Sequence, residues 1–167
     1  MIRLARAYVP NRAVAEEVVQ DTWLGVLKGI DRFEGRSSLK TWLFRILLNR
    51  ARTTGERERR IVPIGGDEPT VDSNRFTSDG HWLTPPVPWT DEVDDRLTAA
   101  ETIQRVRRAI DDLPPGQRLA VLLRDVEGLT SDQVCELLQI NDGNQRVLLH
   151  RGRATVRQQL AGELGRV

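Results

Sequence analysis

The stretch L129-TSDQVCELLQINDGNQRVLLHRGRATVRQQ-L160 carries two helical patterns separated by three residues. Thr130 followed by Gln133 has the spacing of a capping box, in which a hydroxyl and an amide side chain satisfy each other's backbone N–H groups. Val134, Leu137 and Leu138 give the first helix an inner face. Gln139-Ile140-Asn141 reads as the turn, with Ile140 as a buried plug and Asn141 as the next N-cap. The second helix runs to about Leu160. Placed at roughly 100° per residue, Leu149, Gly152, Val156 and Leu160 fall on one side. Arg146, His150, Arg153 and Arg157 fall on another, at offsets of 4, 7 and 11. Two short helices with a tight turn and a basic second helix suit the major groove of DNA.

The first turn of that second helix holds the side chains with reach to base edges: Asn144, Gln145, Arg146 and Val147. Arginine pairs with guanine, asparagine or glutamine with adenine, and a methyl group meets thymine. Arg151, Arg153 and Arg157 fit phosphates, which add affinity without sequence information. A solvated arginine face on a helical hairpin is the plainer alternative.

Charge along the chain is uneven. Residues 1–60 hold 13 Lys and Arg against 7 Asp and Glu. Residues 61–95 hold 1 Arg against 8 acids, and residues 96–167 hold 11 Arg against 9 acids. Basic blocks flanking an acidic middle point to a polyanionic partner. No apolar run is long enough for a membrane span, and MIRLARAYVPNR is a poor signal peptide. A single cysteine, Cys135, cannot form an intrachain disulfide, and His81 and His150 lie too far apart to suggest a zinc site. The expectation is a cytoplasmic chain without metal or other cofactor.

The remaining pattern is helical throughout. Val14, Val18, Val26 and Ile30 mark one amphipathic helix over 12–30. Ser37 or Ser38 caps another that runs to about Thr53, with Leu39, Leu43, Ile46 and Leu47 on its apolar side, and residues 2–9 fit a short helix before Pro10. Residues 61–90 lose all period and contain five of the chain's eight prolines, the mark of a linker. Phe76, Trp82, Leu83 and Trp89 within it fit either a docking site on a neighbouring domain or a groove on a partner. Helical pattern returns from about Asp91 to Leu113, stops at Pro114-Pro115, and resumes from Gln117 to Glu127 before Gly128. The expected fold is all-α: two small helical domains joined by a long irregular linker, the second containing a helix-turn-helix. Glu17, Gln20, Asp21 and Leu24 share one face of the first long helix. Arg45, Asn49 and Arg52 share a face of the second. Spacing alone leaves surface charge and partner contact equally open for both strips, and makes Trp42 a core residue rather than a base stack.

Two segments together resemble the extracytoplasmic-function (ECF) sigma factors of bacterial RNA polymerase. AEEVVQDTWLGVLKGIDRFEGRSSLKTWLFRILLNRAR is similar to the family's region two, and LPPGQRLAVLLRDVEGLTSDQVCELLQINDGNQRVLLHRGRATVR to its region four. The resemblance implies a region-two domain over 1–60, an acidic linker over 61–95 and a region-four domain over 96–167. It implies that Glu17, Gln20, Asp21 and Leu24 meet core polymerase. Arg36, Lys40, Arg45, Asn49 and Arg52 would serve the minus-ten element, with Asn49 at the pocket for a flipped base, whose extrusion costs a few kcal/mol. Asn144, Gln145, Arg146, Val147, His150, Arg151 and Arg153 would serve the minus-thirty-five element. The linker would thread the polymerase cleft, its acidity imitating RNA.

The implied partners are core RNA polymerase, promoter DNA and an anti-sigma factor, with no membrane insertion and no catalytic constellation. The family usually carries a further helix before the position of Met1, so either the natural chain starts earlier or this region two is incomplete, and no fused regulatory domain is expected after Val167. Gln145 stands where the family has an apolar core residue and Leu148 where it has arginine, which implies an uncommon target sequence. Two other readings are a free-standing helix-turn-helix regulator and an inactive paralogue that titrates an anti-sigma factor.

Overall fold

A computed structural model describes residues 1–58 and 99–164. Among these residues every regular element is helical. The N-terminal group comprises α1 (Ile2–Ala5), α2 (Arg12–Gly29) and α3 (Leu39–Arg57). The C-terminal group comprises α4 (Ala99–Asp111), α5 (Pro115–Val121), α6 (Ser131–Leu138) and α7 (Asp142–Leu164). The linker aromatics and the expected helix start at Asp91 lie outside the described residues.

Local chemistry sets most of the helix starts. Asn11 follows Pro10 in extended conformation, and its side chain accepts the Val14 N–H at 3.0 Å, which begins α2. Ser38 rather than Ser37 caps α3, accepting the Thr41 N–H at 3.1 Å. The loop before it turns at Gly35, whose φ of +70° favours glycine. The expected helix over 2–9 is regular only to Ala5. Its continuation through Ala7, Tyr8 and Val9 is nonetheless buried against the core.

The apolar face of α3 consists of Phe44, Leu47, Leu48 and Ala51, at helical spacing of three and four. Leu39, expected on that face, is exposed, since at about 100° per residue it falls to one side of Phe44, Leu48 and Ala51. Leu47 and Leu48 are fully buried, and each such leucine stabilises the fold by about 1.5–3 kcal/mol.

The helix expected over Gln117–Glu127 is split. Pro115 opens α5 at a position that needs no N–H donor. After Val121 the backbone widens into a π turn over Leu122–Val126, where the Glu127 N–H reaches the Leu122 carbonyl at 2.8 Å. The wider turn keeps Leu122 and Leu123 in the core and leaves Asp125 exposed. Gly128, with φ +71°, ends it.

α7 lies against α5 through Gly152. A β-carbon there would sit 2.7 Å from Val121 Cγ2 and 3.3 Å from the Gln117 carbonyl oxygen. Because a carbonyl cannot rotate away as a side-chain tip can, Gly152→Ala should cost about 1–3 kcal/mol of overpacking. The alanine's better helix propensity offsets at most about 1 kcal/mol of this. The expected outcome is a lower urea midpoint with an unchanged denaturant slope.

Candidate nucleic-acid interface

The helix-turn-helix forms as its sequence dictates. Thr130 Oγ1 accepts the Gln133 N–H at 3.3 Å and the Gln133 side chain accepts the Thr130 N–H at 2.9 Å, completing the capping box. Gln139 takes a left-handed conformation (φ 59°) that breaks α6. Asn141 Oδ1 accepts the Asn144 N–H at 2.8 Å and starts α7. Ile140 is half-buried and packs against the core. Leu149, Gly152 and Leu160 face inward as the phase predicted.

On the outer side of α7, Arg146, Val147, Arg153 and Arg157 are exposed, while Asn144, His150 and Arg151 are half-buried. Arg146 pairs with Asp142 one turn earlier, an interaction that holds its guanidinium more firmly protonated. Arg153 makes a bidentate pair with Asp125 of the π turn, at 2.6 and 2.9 Å. Gln145 overturns one expectation. It is 1% exposed, on the Leu149 side of α7, and its side chain points into the core rather than toward a base edge. Its amide nitrogen has no hydrogen-bond partner among the described residues. Cys135 on α6 is half-buried; burial foremost, then Asp142 and Asp132, pushes its thiol pKa up and keeps it protonated.

Along α2, Glu17, Gln20, Asp21 and Leu24 are exposed together. Trp23, Leu27 and Ile30 extend this surface with a further exposed apolar group, Leu27 being 68% exposed. Trp23 and Leu27 had no place in the sequence expectation, and Ile30, expected on the apolar face of the helix, is exposed because it lies past the end of α2 at Gly29. Arg50 crosses α2 over Gly25 and approaches Asp21 at 3.9 Å. Trp42 is half-buried beside Phe33, ring centroids 5.2 Å apart.

The basic strip of α3 does not stand alone. Arg36 pairs with Glu34 in the preceding loop at 2.5 Å. Lys40 reaches the Glu127 carboxylate at 2.9 Å and the Glu127 carbonyl at 2.5 Å. Arg45 pairs with Glu136 at 2.5 Å. Arg52 lies over the Tyr8 ring, 5.9 Å from its centroid, and donates to Gln139 Oε1 at 2.9 Å. Gln133 Nε2 donates to Thr41 Oγ1 at 3.1 Å. Three of the five expected minus-ten residues therefore meet α6, its C-cap or the end of the π turn before it, whereas Asn49 is exposed. Among the described residues no cluster of histidine, cysteine or carboxylates could hold a metal, and no helix is long and apolar enough to cross a membrane.

Comparison with known proteins fits this layout. The sigma-70 region 2 family model matches residues 1–61, and the sigma-70 region 4 model matches residues 103–156. The chain is a member of the ECF sigma-factor family. It is 35% identical over 161 residues to the ECF RNA polymerase sigma factor SigG of Mycobacterium tuberculosis, a match covering 90% of this chain and 44% of that one. It is 28% identical over 153 residues to the ECF RNA polymerase sigma-E factor of Escherichia coli, covering 92% and 76%. The chain thus spans less than half the length of SigG. Among solved structures, the sigma factor RpoE bound to the anti-sigma factor NepR from Bartonella quintana shares the fold, with TM-score 0.62, 23% identity and coverage of 96% and 89%. CnrH in complex with the cytosolic domain of CnrY does so with TM-score 0.54, 19% identity and coverage of 96% and 80%.

Gln145 provides a test of this region-four domain. An unpaired buried amide costs about 1–3 kcal/mol, and methionine fills a similar volume without polar atoms. Gln145→Met should raise the thermal midpoint and leave the sequence preference of DNA binding unchanged. A changed base preference would return Gln145 to the reading surface.

Proposed function

We propose that the chain is a promoter-specificity subunit of RNA polymerase. The observation that carries this reading is the presence, in one chain, of both sigma-70 region matches with basic side chains on α3 and on the outer face of α7. In this reading residues 1–60, 61–95 and 96–167 are the core-binding domain, the linker and the helix-turn-helix domain. Glu17, Gln20, Asp21 and Leu24 dock on core polymerase. Arg36, Lys40, Arg45, Asn49 and Arg52 open the minus-ten element, with Asn49 receiving an extruded base. On α7, Asn144, Arg146 and Val147 read the minus-thirty-five element from the groove while His150, Arg151 and Arg153 fix the helix on the backbone. The acidic linker imitates RNA in the polymerase cleft.

The chain acts in the cytoplasm, performs no catalysis of its own and needs no cofactor. An anti-sigma factor holds it inactive. The structure of the sigma factor RpoE with the anti-sigma factor NepR, which shares this fold, supports that last step.

The experiment that tests the function is binding of the full chain to sigma-free core polymerase, followed by sequencing of the transcript starts the mixture makes. Stable binding and starts sharing an upstream motif are expected; binding of duplex DNA without core binding would make the chain a free-standing regulator. Within that assay, Arg146→Ala should weaken promoter use about tenfold to a hundredfold and relax selection at one base position. A uniform loss across all sequences would make Arg146 a phosphate contact instead. Asn49→Ala should slow opening of the minus-ten region while leaving closed-complex binding nearly intact, and a premelted template should restore its rate.

A further inference from the structure

We propose that Asp142 is a base-reading residue, and that Asp142 and Arg146 jointly select a guanine beside a cytosine in the minus-thirty-five element. The inference deepens, and rests on, the reading of α7 as the helix that enters the major groove.

Asp142 is the first residue of α7, and its Oδ2 accepts from Arg146 Nη2 one turn later. Both side chains are open to solvent, 50% exposed for Asp142 and 75% for Arg146. Residues four apart on a helix share a face, so the surface that Arg146 meets is also within reach of Asp142. The carboxylate is not needed to start the helix, because Asn141 Oδ1 already accepts the Asn144 N–H. With Gln145 turned into the core, Asp142 is the one exposed side chain between 142 and 147 that only accepts hydrogen bonds. Asp125, the partner of Arg153, comes instead from the π turn outside α7. Asp142 travels with the reading helix itself.

Phosphates repel an acid on a surface that meets DNA. Such an acid favours binding only where a base offers it a donor. Cytosine N4 is that donor in the major groove, whereas the adenine amine sits beside the N7 acceptor. Guanine O6 and N7 take two N–H groups of an arginine. The polar ends of Asp142 and Arg146 touch, closer than the roughly 3.4 Å between stacked base pairs, which suits them to neighbouring pairs.

The ion pair makes the two readings interdependent. In the free chain each charge satisfies the other. On a matching step Arg146 turns to guanine and Asp142 to cytosine. A step that offers only one of these draws one ion away and leaves the other unpaired in the groove, which costs more than a neutral mismatch. The two base positions are therefore selected together.

The test uses holoenzyme assembled from the full chain and core polymerase. Transcripts are sequenced from a promoter library randomised across the minus-thirty-five element, for the unaltered chain, Asp142→Ala, Asp142→Asn and Arg146→Ala. Asp132→Ala, which removes the same charge from an exposed position on α6, is the control.

The unaltered chain should enrich guanine and cytosine at neighbouring positions, together beyond the product of their separate enrichments. Asp142→Ala should lower the cytosine preference about tenfold and abolish the coupling while guanine selection persists. Asp142→Asn should shift that position towards adenine, which pairs with an amide, and Asp132→Ala should leave the motif as it is. An unchanged motif with Asp142→Ala, beside one altered by Arg146→Ala, would overturn the role of Asp142 and leave α7 as the reading helix. Loss of the guanine preference alone would overturn base reading by Asp142 and reduce it to a positioning residue for Arg146. Loss of all transcription with Asp142→Ala, with an unaltered motif for Asp142→Asn, would make Asp142 structural only. A motif that neither Asp142→Ala nor Arg146→Ala changes would overturn the reading of α7 itself.

Discussion

The close approach of α7 to α5 at Gly152 is the contact on which the C-terminal domain depends. Absence of a β-carbon lets the α7 backbone lie against Val121 and the Gln117 carbonyl. That contact fixes which way α7 is rolled. With Gly152, Leu149 and Leu160 turned inward, Arg146, Val147, Arg153 and Arg157 have no direction left except outward. The basic face is thus a consequence of packing on the opposite side of the same helix. The capping box at Thr130 and the Asn141 cap then determine where each helix starts, so the first turn of α7 projects from a rigid support.

Electrostatic balance is the second theme. Arg36, Lys40, Arg45, Arg146 and Arg153 all have acidic partners within the chain. In the proposed function, binding a nucleic acid is an exchange, in which phosphate oxygens replace carboxylate oxygens around the same cations. Exposed pairs of this sort contribute little to folding, which makes the exchange inexpensive. Their worth lies in holding long side chains in defined places before a partner arrives, as the bidentate pair from Asp125 does for Arg153.

How much of this was legible in the sequence depended on distance along the chain. Caps at Asn11, Ser38, Thr130 and Asn141 are set by neighbours three residues away, and all were either named or bracketed from spacing, apart from Asn11. The all-helical class and the inward side of α7 followed from period. Gln145 shows how chemistry can mislead where period is right: it lies four residues before Leu149, hence on the inner side, yet its hydrogen-bonding groups drew it into the base-reading set. The π turn depends on an N–H reaching back five residues, which no local preference announces. Contacts between α3 and residues 127–139 join positions 87 to 92 apart, and nothing in either segment alone marks them. The roles proposed for α2 and α3 came from family resemblance, since their spacing by itself is that of any charged helix.

Gln139 brings these strands together. It is the one non-glycine residue among those described with positive φ, a conformation that costs an ordinary side chain energy and that glycine adopts freely. Glycine at this turn would satisfy the backbone better. It would also remove the amide oxygen that receives Arg52. The residue trades local comfort for a long-range tether, so the bend that ends the first helix of the DNA-binding motif and the latch between the two domains are one side chain. A change at this single position cannot tune the angle of the motif without also altering the grip between domains.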